Sequence, residues 1–417
     1  MRKLLVLSFI TLLGSVAFIA CNDEIGDEIP QKIVEPRSDY YQPYDSALAI
    51  ALRQLDECNP GTRTLSQRTV KEHYLYSPSP STRATETDPV RFHVINFENG
   101  QGFAIVSADK RTTPVYAYSS IGNIDLQEAV QNSGVGVFME SAELYFRDEI
   151  ERFGGGPLTP FDPDSSLIDL MAQVPVIVDG IECVQRHFTI QDNKDSLLAT
   201  KWHVGYPYNS FCPTYISNGI TLQYLAGCGP VAIGQIMAYH QHPDSYGGYT
   251  FNWSAICSDA TTTQNDTCKA RLINVISNAA NAVYTNGTTA ITFPNARNAF
   301  QLMGYSTSAI VNTMNNIKQD VKNDVVAHRP LLFAGENEST GENHIWVVDG
   351  YRSTTYKTTY YYAYYPYPEY KTVTDSETLY YHLNFGRRMN GIGYYLNVYK
   401  YEFGKNIKYI KNIKPVN

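Results

Sequence analysis

One cysteine of this sequence stands in a setting made for covalent chemistry. The stretch LAGCGPVAIGQIMAYHQHP, Leu225 to Pro243, places Cys228 between two glycines and directly ahead of a segment with helical spacing. Ile233, Ile236, Met237 and His240 recur at the interval of one buried helix face. Pro230 suits a first helical turn, where a missing N–H does no harm, and Pro243 stops the helix soon after His240. A thiol at a helix N-terminus feels the positive end of the helix dipole, which favours the thiolate. Gly227 and Gly229 would leave room for a substrate backbone to approach the sulfur. A buried structural cysteine is the plainer alternative, and the flanking residues favour a nucleophile over it.

A thiol nucleophile needs a base, and the base needs a group that orients it. Of nine histidines, His344 in ENHIWVVDGY stands out. It opens an apolar run from Ile345 to Val348, so burial fixes the strand while the imidazole emerges at its end. A histidine at a strand edge with no role is the competing reading. Asn384, in YYHLNFGRRMNG, lies on another apolar strand and is the candidate to hold the tautomer; Phe385 beside it can shield that hydrogen bond. Asp349 competes for this role, but side chains alternate across a strand and turn it away from the ring.

The elements that must position these groups can be read along the chain. Helical spacing predicts a helix over Tyr44 to Leu55 and an amphipathic one over Gly134 to Phe153, with Phe138, Ala142, Tyr145 and Ile150 on one side. Between them, Arg91 to Ser120 alternates in two runs joined at Asn99-Gly100, a strong hairpin signal. Gly154 to Pro163 is loop-rich, and the polar stretch from there to Leu197 suits proteolysis. Asn252 to Asp266 reads as loop, Leu272 to Ala282 as helix and Val311 to Ala327 as mixed, mainly helical. Beyond Pro330 come short strands: Leu331 to Ala334, His344 to Val348, Tyr360 to Tyr365, Tyr380 to Asn384 and Tyr394 to Val398. The expected fold class is α+β, a helical half carrying the thiol and a β half carrying the histidine. The 33 tyrosines, many in the C-terminal third, agree with sheet there.

Composition narrows the function classes. A net charge of -8 without a basic cluster argues against a nucleic-acid partner. Histidines and cysteines lack metal-ligand spacing, so no metal or other cofactor is expected. Seven cysteines less Cys228 and Cys21 leave an odd number, so a complete disulfide framework is not implied, although Cys257 and Cys268 could pair. Arg2 and Lys3 followed by the apolar run Leu4 to Ala20 read as a secretory leader, with Cys21 where cleavage is expected.

Taken together, these stretches resemble the streptopain family of papain-like bacterial cysteine peptidases. The resemblance rests on Gly227-Cys228 with Gln235-Ile236-Met237-Ala238-Tyr239, on Asn343 to Gly350, on Pro207 to Pro213, and in part on Asn384-Phe385-Gly386. The hairpin GFAIVSADKRTTPVYAYS resembles the family's propeptide, which keeps the zymogen inactive. Phe18-Ile19-Ala20-Cys21 resembles a lipobox, and the acidic residues after it resemble a surface-export signal of lipoproteins. Three departures stand out. The family's tryptophan is Phe385, its glycine-rich loop is Gly386-Arg387-Arg388-Met389, and Val204 replaces the glutamine that donates to the oxyanion. Gln223, shortly before Cys228, is the candidate substitute.

The resemblance implies a papain-like catalytic domain over 197–417, a propeptide domain over 40–172 and an activation junction over 173–196. A lipoprotein leader over 1–21 and a tether over 22–39 would precede them. The expected activity is that of an exported, lipid-anchored cysteine endopeptidase made as a zymogen, located at the outer membrane or cell surface. Cys228 attacks, His344 is base and then acid, Asn384 orients it, Gln223 serves the oxyanion, and Cys21 carries the lipid. Expected partners are protein or peptide substrates, the chain's own propeptide, and a membrane through the anchor. Two alternatives stand beside it: an inactive pseudopeptidase that binds proteins, and a peptide-bond-forming enzyme of the transglutaminase kind.

Overall fold

The computed structural model describes residues 40–57, 68–77, 91–129, 134–152, 177–178, 181–337, 341–362, 369–374, 377–399 and 407–416. Cys21, the tether and, within the expected junction, residues 173–176 and 179–180 lie outside the described residues.

Helix α1 (Tyr44–Glu57) forms where the spacing predicts it and buries Ala47, Ile50, Ala51 and Leu55. It packs on an antiparallel run of β1 (Val70–Tyr76), β2 (Phe92–Phe97), β3 (Phe103–Ser107) and β4 (Val115–Ser119). The β2–β3 turn falls at Asn99 and Gly100, both at positive φ, as the Asn-Gly pair requires. Helix α2 (Gly134–Arg152) follows, with Phe138 and Ala142 buried and Tyr145 and Ile150 packed partly against the same core.

The helical half centres on α3 (Cys228–His240) and α4 (Thr263–Ala279). The spacing predicts one buried face for α3, yet every residue from Gly229 to Ala238 is buried. The reason is position: α4 covers one side and the sheet the other, as for a helix apolar all round. Two boundaries differ from expectation. The stretch read as loop holds a helical turn, Trp253–Ile256, capped by the Asn252 side chain. Helix α4 starts at Thr263, where the Thr262 hydroxyl accepts from Asn265 N–H, well before the apolar residues that mark its second half. Cys257 and Cys268 form no disulfide.

The β half contains β5 (Ile181–Lys194), β6 (Leu331–Asn337), β7 (Glu342–Tyr362), β8 (Thr378–Asn384), β9 (Gly393–Leu396) and β10 (Lys408–Ile410). Two expected strands are thus one, β7. The far end of the expected junction is strand rather than open loop, because β5 finds a ladder along β7 from Tyr351↔Lys194 onward. The main sheet runs β1-β2-β3-β4-β9-β8-β7-β6-β10. Its join is β4 with β9, Ala117 opposite Tyr395 and Tyr118 opposite Tyr394, with the Tyr118 and Tyr394 rings stacked at 5.5 Å. Side chains along β7 alternate between two cores: Ile345 and Val347 face α3, while Trp346 and Val348 join the core that includes α2.

Candidate active site

The chain is led to Cys228 by a fixed backbone. Ala226 N–H donates to Val204 O at 2.8 Å, Leu225 N–H to Gly287 O at 2.9 Å, and Thr289 N–H to Leu225 O at 3.0 Å. Gly227 then takes φ +79°, and a Cβ there would lie 1.9 Å from Thr289 O, so only glycine admits the turn into the helix. Gly229 is covered by Ile291 and Ile345, whose methyl carbons lie 2.5 and 3.1 Å from where its Cβ would stand. The two glycines therefore serve packing within the chain rather than substrate approach.

Cys228 is half-buried at the first position of α3, with its sulfur accepting from Ile345 N–H at 3.4 Å. His344, the residue before Ile345, lines the same cleft, so the candidate nucleophile and the candidate base share one cleft between α3 and β7. The imidazole is buried, and that burial, with the Arg387 charge near it, lowers its pKa to about 4. In this state it is neutral at ordinary pH, able to accept a proton but not carrying one to pair with a thiolate.

Asn384 is placed differently from expectation. It pairs in register with Val347, three residues along β7 from His344, and so shares the sheet face that meets α3. Its Nδ2 donates to Gln235 Oε1 at 3.0 Å and to Thr200 O at 3.1 Å, while its Oδ1 accepts from Gly386 N–H at 3.1 Å. Gln235 lies about 10 Å along the α3 axis from Cys228, by the helical rise. Asn384 thus sits two turns below the thiol and orders the loop after β8. Phe385, on the opposite face, stands in the cleft with His344 and against Trp346, ring centres 5.8 Å apart.

Gln235 stands in the motif after Cys228, but sequence reading assigned it no role of its own. It is completely buried and also accepts from Trp202 N–H at 3.2 Å, joining three segments at one amide. Its signal was a lone amide in an otherwise apolar helix. Asp349 likewise has its own partners, His382 Nδ1 at 2.6 Å and Leu198 N–H at 2.8 Å, tying the start of the helical half to the sheet.

Gln223 is not brought to Cys228. It is exposed on a short hairpin, and its Nε2 donates to Cys212 O at 2.8 Å and to Ser210 O at 3.0 Å. Those two carbonyls occupy both amide hydrogens, which leaves none for an oxyanion. Val204 does line the cleft.

The cleft encloses about 1460 Å³, beyond the roughly 300–1,000 Å³ usual for a small-molecule pocket and suited to an extended peptide. Thr289, Ile291 and Phe293 line it, as do His203, Arg387 and Arg388. Elements N-terminal to the helical half reach it: Gly134 packs on Phe385 and Trp346, and Glu128 receives Arg387 Nη2 at 2.8 Å.

Comparison with known proteins agrees with this arrangement. Residues 202–395 match the peptidase C10 family, and residues 34–146 match the Spi protease inhibitor family. Over 352 residues the chain is 24% identical to the thiol protease/hemagglutinin PrtT of Porphyromonas gingivalis, covering 74% of this chain and 38% of that protein. The chain therefore spans well under half the length of this curated relative. The fold overlays on a fragment of prointerpain A from Prevotella intermedia with a TM-score of 0.52 at 14% identity, covering 83% of this chain and 100% of that one. The chain thus carries a peptidase C10 domain preceded by a propeptide domain of the Spi protease inhibitor kind, on a papain-like α+β fold.

Proposed function

We propose that the chain is the zymogen of an exported, lipid-anchored endopeptidase that hydrolyses peptide bonds through a thioester. The observation that carries this reading is the meeting of Cys228 and His344 in one cleft whose rim is held by propeptide residues Gly134 and Glu128. The Cys228 sulfur attacks the scissile carbonyl carbon as His344 takes the thiol proton. The tetrahedral anion collapses, the C–N bond breaks, and His344 returns the proton to the leaving amine. Water, deprotonated by His344, then opens the thioester and releases the acid. The helix dipole of α3 favours negative charge at the sulfur. Asn384 and Gln235 fix the loop that carries Phe385 and Arg387 rather than touching reacting atoms.

The reading is tested by a peptidyl electrophile directed at thiols, applied to the precursor and to the protein after maturation. Labelling of Cys228 that rises on maturation supports a zymogen; no labelling in either form sinks the peptidase mechanism. A pseudopeptidase on the same scaffold is favoured by one observation: neither Gln223 nor Val204 offers the cleft a side-chain donor.

A further inference from the structure

The loop after Asn384 carries two arginines into the cleft, and one of them holds a carboxylate that leaves with the propeptide. Arg387 Nη2 donates to Glu128 Oε1 at 2.8 Å; the arginine side chain is 20% exposed and the glutamate 67%. Among the described residues this is its only ion pair. The loop is pinned before any substrate arrives. Gly386 N–H donates to Asn384 Oδ1 at 3.1 Å, Arg388 N–H to Trp202 O at 3.2 Å, Asn390 N–H to Arg387 O at 3.2 Å, and His203 bridges Arg387. The loop backbone is thus preorganised, and the guanidinium lies near enough to the reacting centre to act on the His344 charge. Arg388 and Lys408 line the same cleft and add positive charge, against Glu128 and Glu336.

Once the propeptide has gone, Arg387 is a mostly buried cation that has lost its counter-charge. Leaving such a charge unpaired is unfavourable, and the group best shaped to restore the pair is another carboxylate. We propose that Arg387 is a specificity-determining residue that selects substrates with an acidic side chain near the scissile bond, at the place Glu128 holds in the precursor. The proposal rests on the peptidase reading above and adds the substrate class. It also gives Glu128 a role, as the propeptide's stand-in for that substrate side chain.

The test uses the full chain, matured in solution, and a set of peptides in which one Glu is walked through the positions flanking the cleaved bond, each paired with its Gln counterpart. One position should favour Glu over Gln by about tenfold in kcat/KM, as a charge-assisted hydrogen bond at a partly exposed site allows. Rising salt should reduce that ratio. Arg387→Lys should keep part of it, Arg387→Ala should bring it near one, and Arg387→Glu should make Lys the preferred residue at that position. Alkylation of Cys228 in each variant reports that its site is folded. A ratio below about twofold at every position, or one that Arg387→Glu leaves standing, overturns the proposal, while cleavage of the Gln peptides keeps the peptidase reading intact. If no peptide is cleaved, both fall.

Discussion

Gln235 and Asn384 face each other amide to amide. Asn384 Nδ2 donates to Gln235 Oε1 at 3.0 Å and Gln235 Nε2 returns a longer bond to Asn384 Oδ1 at 3.4 Å, both side chains shut off from water. This pair links the helix that starts at the thiol to the strand that leads into the Phe385-Arg387 loop. Gln235→Leu should therefore cost about 1–3 kcal/mol of unfolding free energy, because Trp202 N–H loses its acceptor and Asn384 loses two of its four hydrogen bonds. Asn384→Ala should cost a similar amount, and the double variant should cost less than the two together. Urea unfolding of the four proteins checks this. Strict additivity would mean that the two amides do not depend on each other.

With its amide spent on two backbone carbonyls, Gln223 should be dispensable for turnover. Gln223→Ala is expected to leave kcat/KM within about threefold and to lower stability by about 1 kcal/mol. Val204→Gln puts a donor at a position that already lines the cleft, and it should raise kcat. A loss of two orders of magnitude in Gln223→Ala, against unchanged Val204→Gln, would show that the hairpin moves to the oxyanion after maturation.

Cys228→Ala should yield a folded precursor that stays at full length. Alanine loses the bond that the sulfur accepts from Ile345 N–H but leaves the start of α3 in place, while self-cleavage requires the sulfur. Mass measurement over time, in a preparation free of other proteases, checks the result. A variant that shortens at the normal rate argues against self-processing.

Cys21→Ser should move the protein from the membrane fraction to the soluble one with peptidase activity unchanged. An acyl anchor acts through burial of its chains in lipid and has no part in the thiol chemistry. Fractionation of cells expressing each form decides it, and unaltered membrane partition would count against a lipid at Cys21.

Acid should weaken the precursor. Burial lowers the pKa of His73, His203, His240 and His344 to about 4, and the His93 charge adds to the effect at His73. His73 Nε2 and His93 Nδ1 share one hydrogen bond at 2.9 Å; His93 Nε2 meets Gln42 O at 2.8 Å, and the Tyr44 and Tyr41 rings pack on the pair. The unfolded chain takes up protons at these histidines near pH 6.5, ahead of the folded one. Stability should then be highest above about 6.5, fall as pH drops toward about 4, and level off below. Urea midpoints across that range test it, and His73→Gln should flatten the slope. A midpoint that holds steady from pH 7 to 4 would contradict the neutral state of these partly or fully buried rings.

Much of the fold could be read locally. Spacing alone placed α1, α2 and α3, because a helix face repeats within a few residues, and Asn99-Gly100 marked its turn because few residue pairs tolerate positive φ twice in succession. The start of α4 was missed because its first turns are polar, and β5 because a strand's partner lies far away in sequence.

At the site, the order of residues was enough to single out Cys228 and His344 as candidates, since a thiol at a helix start and a histidine opening an apolar strand are features of neighbouring residues. Which amide serves which partner was settled only by tertiary structure. Asn384 could be named as a strand residue, but its pairing opposite Val347 turns it toward Gln235. Gln223 could be named for its distance from the thiol in sequence, but a hairpin turns its amide to Ser210 and Cys212. A hydrogen bond has a reach of about 3 Å and a direction, and neither is set by spacing along the chain. The same holds for Arg387 and Glu128, 259 residues apart, whose meeting depends on β4 closing onto β9.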